Sequence, residues 1–114
     1  MATWYSGTAA DVAVNAGVER FASTPDAENY LRHWFEPTGR LRIPVLTLHT
    51  TRDATVPFAH EAVYAGVVAS AGRSGMLLQR SFTRLGHCTF TTAEQMSALE
   101  ALAEWAATGV KPAA

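Results

Sequence analysis

Residues 41–49, LRIPVLTLH, form a short and nearly continuous run of apolar and β-branched residues. Such a run predicts a β-strand that is buried on both faces, as in a parallel sheet. Pro44 belongs near the start of this strand, where its missing N–H group does least harm. The overlapping stretch LHTTRDATVP, residues 48–57, then places Asp53 in a loop at the end of the strand. The sequence thus predicts a buried strand with an acid at its carboxyl end.

A second apolar run, MLLQRSF at residues 76–82, predicts another strand, and residues 57–72 between the two runs predict a helix. Two buried strands joined by a helix of about a dozen residues call for a right-handed parallel crossover. A parallel sheet needs cover on both faces and pairing along its edges, and two strands alone leave two apolar edges open. The predicted fold class is therefore α/β, and the chain reads as one end of a larger sheet.

The segment TTAEQMSALEALAEWAATG, residues 91–109, predicts a terminal helix. Thr91 and Glu94 have the spacing of a capping box, and Gly109 followed by Pro112 ends the helix. The residues expected to form its buried stripe are Met96, Leu99, Leu102, Ala103 and Ala106.

Residues 1–40 differ in composition from residues 41–114, and the two stretches are predicted to be separate parts of the chain. A short helix is expected from about Ala10 to Phe21. A second helix is expected to begin at Thr24, which can cap it, with Pro25 at the first helical position.

Composition limits the possible partners. The net charge of −1 provides no basic surface for nucleic acid, and no apolar run is long enough to span a bilayer. The single cysteine, Cys88, excludes an internal disulfide, and the amino terminus lacks the pattern of a signal peptide. A soluble chain is expected, cytoplasmic by default, with no cofactor.

Asp53 and His87 both follow predicted strands, and functional groups in open α/β sheets collect at the carboxyl ends of strands. A carboxylate that accepts a hydrogen bond from one imidazole nitrogen fixes the tautomer of the ring. It also stabilises the imidazolium that forms when the other nitrogen takes a proton. The two residues are therefore candidate catalytic partners.

The motif VLTLHTTRDATVP, followed by GHCTF and a long helix, resembles the last third of an α/β-hydrolase over about residues 41–110. In that family a loop of the form HG-x-x-D-x-x-V-P carries the triad acid, and a Gly-His pair after the next strand carries the triad histidine. The resemblance assigns these roles to Asp53 and His87, and residues 1–40 would correspond to cap or lid helices. Thr50 departs from the pattern, because it stands where the family has glycine.

The resemblance implies a serine hydrolase of the esterase, lipase or peptidase type, yet the nucleophile motif G-x-S-x-G occurs nowhere in the chain. Because the family order is serine, acid, histidine, the serine and the oxyanion donors are expected upstream of these residues. The Asp53–His87 pair alone should be nearly inert, and an ester or amide would be the substrate of a completed enzyme. The partner would then be a complementing amino-terminal segment.

Several alternatives remain open. The chain can instead be a non-catalytic α/β module that folds by self-association, as a homo-oligomer, or by pairing with another chain. Asp53 can instead close an Asx-turn, cap the next helix or act as a receiver-like phosphoacceptor, and His87 can bind a backbone carbonyl. Cys88 is a weaker candidate nucleophile. The remaining possibility, a metal site, is not predicted because the spacing is wrong for zinc, and its candidate ligands are His33, His49, His60, His87 and Cys88.

Overall fold

The computed structural model describes residues 5–113. The chain divides into two compact units between Glu36 and Pro37. In the order of the chain the elements are α1 (Asp11–Gly17), α2 (Pro25–Trp34), β1 (Val45–Arg52), α3 (Ala59–Ser70), a short 3-10 helix (Ser74–Met76), β2 (Leu77–Leu85) and α4 (Thr92–Thr108).

The first unit contains the two short helices α1 and α2. Helix α1 ends at Gly17, earlier than the expected Phe21. Its buried residue is Asn15, whose side-chain amide donates to the carbonyl oxygens of Tyr5 and Asp11, each at 2.7 Å. This amide thus ties the segment before α1 to the helix.

Helix α2 begins as its sequence predicts. The hydroxyl of Thr24 accepts from the N–H of Ala27 at 3.3 Å, and Pro25 occupies the first turn. Its apolar side chains are all more than half exposed, namely Tyr30, Leu31 and Trp34.

The second unit confirms the predicted α/β arrangement. Strands β1 and β2 pair in parallel, with Val45 opposite Leu77 and Thr50 opposite Phe82. The register shifts by one residue just after Thr50, where the strands approach their carboxyl ends.

Helices cover both faces of this sheet. Thr47 and its register partner Gln79 both bind Glu61 of α3, which places α3 on their face. Neighbouring side chains on a strand point to opposite faces. Arg80 accordingly reaches the other side, where its guanidinium lies 3.4 Å from the carbonyl oxygen of Ala113, in the segment that follows α4.

The buried face of α4 differs from the predicted one. Ala98 and Trp105 are buried, whereas Met96 and Leu99 are 47% and 58% exposed. Leu102 of the predicted stripe is half-buried, but Ala103 and Ala106 are also exposed. The prediction was wrong because alanine and leucine occur around the whole helix, so that two apolar faces fit the helical period. The main core side chains are Val68, Leu77, Leu78, Ala98 and Trp105.

Within residues 5–113, no helix is long and apolar enough to cross a membrane.

Candidate active site

The carboxyl ends of the two parallel strands bring Asp53 and His87 together. Asp53 directly follows β1, and His87 lies two residues after β2. The Oδ2 atom of Asp53 is 2.7 Å from the Nδ1 atom of His87. The structure thus forms the contact between the two residues that the sequence singled out, across 34 positions of the chain.

Both oxygens of the Asp53 carboxylate are engaged. Oδ1 accepts from the backbone N–H groups of Thr55 and Val56, at 2.8 and 3.0 Å, which closes an Asx-turn. Oδ2 faces His87, and the side chain is only 3% exposed. The turn that was an alternative to the histidine contact is therefore present together with it.

Hydrogen bonds keep Asp53 ionised. The N–H of Val56, the side chain of His87 and the N–H of Thr55 lower its pKa to about 2, against the opposing effect of desolvation. A carboxylate can only accept, so the Nδ1 atom of His87 carries the proton of this hydrogen bond. In the neutral imidazole the Nε2 atom is then left as the basic nitrogen. Its neighbour is the thiol of Cys88, with Sγ at 3.4 Å from Nε2.

The loop that carries His87 is tied to strand β1 through Gly86. The hydroxyl of Thr50 donates to the carbonyl oxygen of Gly86 at 2.5 Å, and the N–H of Gly86 donates to the carbonyl oxygen of Arg52 at 3.2 Å. Gly86 has a φ of +107°, and a Cβ atom there would lie 2.8 Å from the Cγ2 atom of Thr89. Any residue with a side chain would therefore be strained at this position.

An ion pair fixes the far end of the same loop. The guanidinium of Arg84 binds both carboxylate oxygens of Glu94, at 2.8 and 2.9 Å, and also donates to the carbonyl oxygen of Thr89. Glu94 in turn accepts from the N–H of Thr91, whose hydroxyl caps α4. The Arg84 contact is the main reason why the pKa of Glu94 falls to about 2.

Three of these residues, Thr50, Arg84 and Glu94, were missed as site residues from sequence. Thr50 stood out only as a departure from the family pattern, and Glu94 only as half of a capping box. The sequence signals for Arg84 were its charge, which is opposite to that of Glu94, and its position shortly before His87. Nothing in the sequence places Arg84 and Glu94 together.

Other polar residues of the second unit have different places in the fold. Ser74, in the sequence AGRSGM, precedes β2 and so lies at the opposite end of that strand from His87. The Nδ1 atom of His49 contacts the carbonyl oxygen of Thr50 at 2.9 Å. In the part of the chain that the structure describes, no three His, Cys, Asp or Glu side chains form a cluster that could hold a metal ion.

Comparison with known proteins finds similarity to a hydrolase. The chain is 27% identical over 106 residues to an o-phthalyl amidase of Xanthobacter agilis. The match covers 87% of this chain but 23% of the amidase, so the chain spans about a quarter of the length of that relative. No family model and no solved structure matches the chain.

Proposed function

We propose that this chain supplies the acid and the general base of a serine hydrolase of the α/β-hydrolase superfamily, acting on an ester or amide bond. Asp53 orients His87, and residues 1–40 form a cap-like segment. The observation that carries the proposal is the 2.7 Å contact between Asp53 Oδ2 and His87 Nδ1 at the carboxyl ends of adjacent parallel strands. The similarity to an amidase supports it.

In the proposed mechanism, Nε2 of His87 takes the proton of a serine hydroxyl as that oxygen attacks the carbonyl carbon of the substrate. Ionised Asp53 stabilises the imidazolium, which then gives its proton to the departing alcohol or amine. A water activated by the same nitrogen hydrolyses the acyl-serine. The serine and the oxyanion donors come from residues outside this chain, and the Cys88 thiol must move aside before the hydroxyl reaches Nε2.

The test is a chimera in which this chain replaces the matched region of the Xanthobacter agilis amidase, assayed with p-nitrophenyl acetate. We expect His87→Ala to lower kcat/KM by at least ~10²-fold, since general-base catalysis contributes about that much or more. His60→Ala, an exposed histidine on α3, is the matched control and should retain activity. Equal activity of the His87→Ala chimera and its parent would refute the assignment.

A second candidate is a non-catalytic module that associates with itself or with another chain. It is favoured by exposed apolar side chains on α4, Met96 and Leu99, and by the exposed Val63 of α3. Analytical ultracentrifugation distinguishes the two. A folded monomer that stays monomeric at high concentration argues against self-association, and a stable dimer supports it.

A further inference from the structure

We propose that Thr50 is a positioning residue for His87, acting through the carbonyl group of Gly86. The inference rests on the proposed function of His87 as a general base. Thr50 touches neither ring nitrogen, and its side chain lies within the sheet, where the residue is 1% exposed. Its effect on catalysis would therefore come from where it holds the histidine loop.

The hydroxyl of Thr50 controls the peptide unit that leads into His87. That unit is planar, so the carbonyl oxygen of Gly86 and the backbone nitrogen of His87 lie in one rigid plane. Holding the oxygen thus fixes the orientation of the peptide plane that leads to the Cα atom of His87. Gly86, with its φ of +107°, has no side chain to restrict the loop by itself.

The same strand also determines the position of the acid. Thr50 and Arg52 of β1 hold the carbonyl and the N–H group of Gly86, respectively, and Asp53 is the next residue of the chain. The last three residues of one strand thus position both loops. This arrangement sets the separation between Oδ2 of Asp53 and Nδ1 of His87. A glycine at position 50 would remove the side-chain half of the connection.

A purely structural role of Thr50 predicts different effects of substitution from those of a positioning role. Thr47 offers a matched control on the same strand, because its hydroxyl donates to Glu61 at 2.6 Å on the opposite face of the sheet. Thr50→Val and Thr47→Val each remove one hydroxyl, buried at Thr50 and half-buried at Thr47, while they keep the branched shape. Both are expected to lower the melting temperature. Only Thr50→Val should change the tautomer populations of the His87 imidazole.

The measurement is long-range ¹H–¹⁵N NMR of the intact chain, at a pH where the imidazole is neutral. In the parent and in Thr47→Val we expect one tautomer of His87, with the proton on Nδ1. In Thr50→Val we expect averaged nitrogen shifts, because the contact with Asp53 is loosened, and a pKa of Asp53 above its value of about 2. Thr50→Ser, which keeps the hydroxyl, should restore the parent spectrum.

Each outcome has a defined meaning. If Thr50→Val does not fold, the pair Thr50→Ser and Thr50→Ala, which also differs by one hydroxyl, decides the question. Parent-like spectra in the variants without the hydroxyl would overturn the positioning role and leave the proposed function intact. A parent protein with the proton on Nε2 would instead contradict the dyad itself. In the chimera, Thr50→Val should lower kcat by up to ~10²-fold with KM unchanged, as expected for misplacement of a catalytic group.

Discussion

The acid loop after β1 and the histidine loop after β2 lie at the same edge of the sheet but are stabilised differently. The acid loop is closed by its own side chain, since Oδ1 of Asp53 accepts from the N–H groups of Thr55 and Val56. The histidine loop has one such local contact, from the hydroxyl of Thr89 to the carbonyl oxygen of Leu85 at 3.2 Å, but it is also held from outside. Its first residue is bound by Thr50, 36 positions earlier in the chain, and its later part by Arg84, which Glu94 binds in turn.

This difference shows that the two partners depend on the fold to different degrees. A turn closed within three residues is stabilised locally, so we expect Asp53 to keep its conformation even if packing loosens. The position of His87 depends in addition on the contacts of Gly86 with Thr50 and Arg52, which exist only when the two strands are paired. Changes far from the ring should therefore displace the base more than the acid.

The largest expected effect comes from Asp53→Asn. The amide oxygen can still accept from Thr55 and Val56, so the turn should survive, but an NH₂ group in the place of Oδ2 cannot accept from Nδ1 of His87. In the amidase chimera we expect kcat to fall by roughly 10⁴-fold, as for a triad held in the wrong tautomer. The check is a p-nitrophenyl acetate assay together with circular dichroism. Loss of folding in Asp53→Asn would show that the acid loop is less independent than its hydrogen bonds indicate.

The next largest effect concerns the histidine loop alone. Gly86→Ala would place a methyl group 2.8 Å from Thr89 in a backbone conformation that L-residues rarely adopt. We expect it to lower the free energy of unfolding by about 1–3 kcal/mol, the usual range for local backbone strain. Gly72→Ala is the matched control, because Gly72 also has a positive φ, of +69°, but has nothing within 4 Å of the added atom. Urea denaturation of the two variants should show a clearly larger loss for Gly86→Ala.

The distinction between local contacts and contacts that need the paired strands also explains how much of the structure the sequence could predict. The two parallel strands follow from apolar runs at residues 41–49 and 76–82, because burial on both faces leaves a continuous signal. Asp53 and His87 were predicted to meet because parallel strands end at one edge of a sheet. The structure brings their side chains together, while their catalytic role stays a prediction.

The rest of the site and of the core depends on contacts between residues that are far apart in the sequence. A hydrogen bond from Thr50 to Gly86 requires the register of the two strands, which no local pattern supplies. Periodicity also failed on α4, where it favoured Met96 and Leu99 although Trp105 lies on the buried face. An alanine-rich helix offers similar apolar faces in several directions, and only the packed sheet selects one of them.

A smaller effect is expected at acidic pH. The pKa values of Glu94 and Asp53 are both lowered to about 2, from ordinary values of 4.5 and 3.8. Each carboxylate therefore stabilises the fold above its ordinary pKa, and this stability is lost as the pH falls towards 2. We expect the melting temperature of the parent to decline between pH 4.5 and 2, and Glu94→Gln to have a lower melting temperature at neutral pH with a flatter acid decline. Identical acid declines in parent and variant would contradict a stabilising Arg84–Glu94 pair.

The smallest effect on stability is expected at Cys88, which is exposed. Cys88→Ala should change the free energy of unfolding by no more than ~0.5 kcal/mol, as is usual for surface positions.

The reactivity of the Cys88 thiol should nevertheless report on the base. Its Sγ atom lies 3.4 Å from Nε2 of His87, and Nε2 can take the thiol proton as the sulfur reacts. Alkylation of Cys88 by iodoacetamide should be several-fold slower in His87→Ala and unchanged in His60→Ala. Thr50→Val should fall between them, because a displaced imidazole contacts the thiol for only part of the time. If all three variants react at the parent rate, the Nε2 atom does not face the thiol in solution, and the histidine loop is held less firmly than its contacts imply.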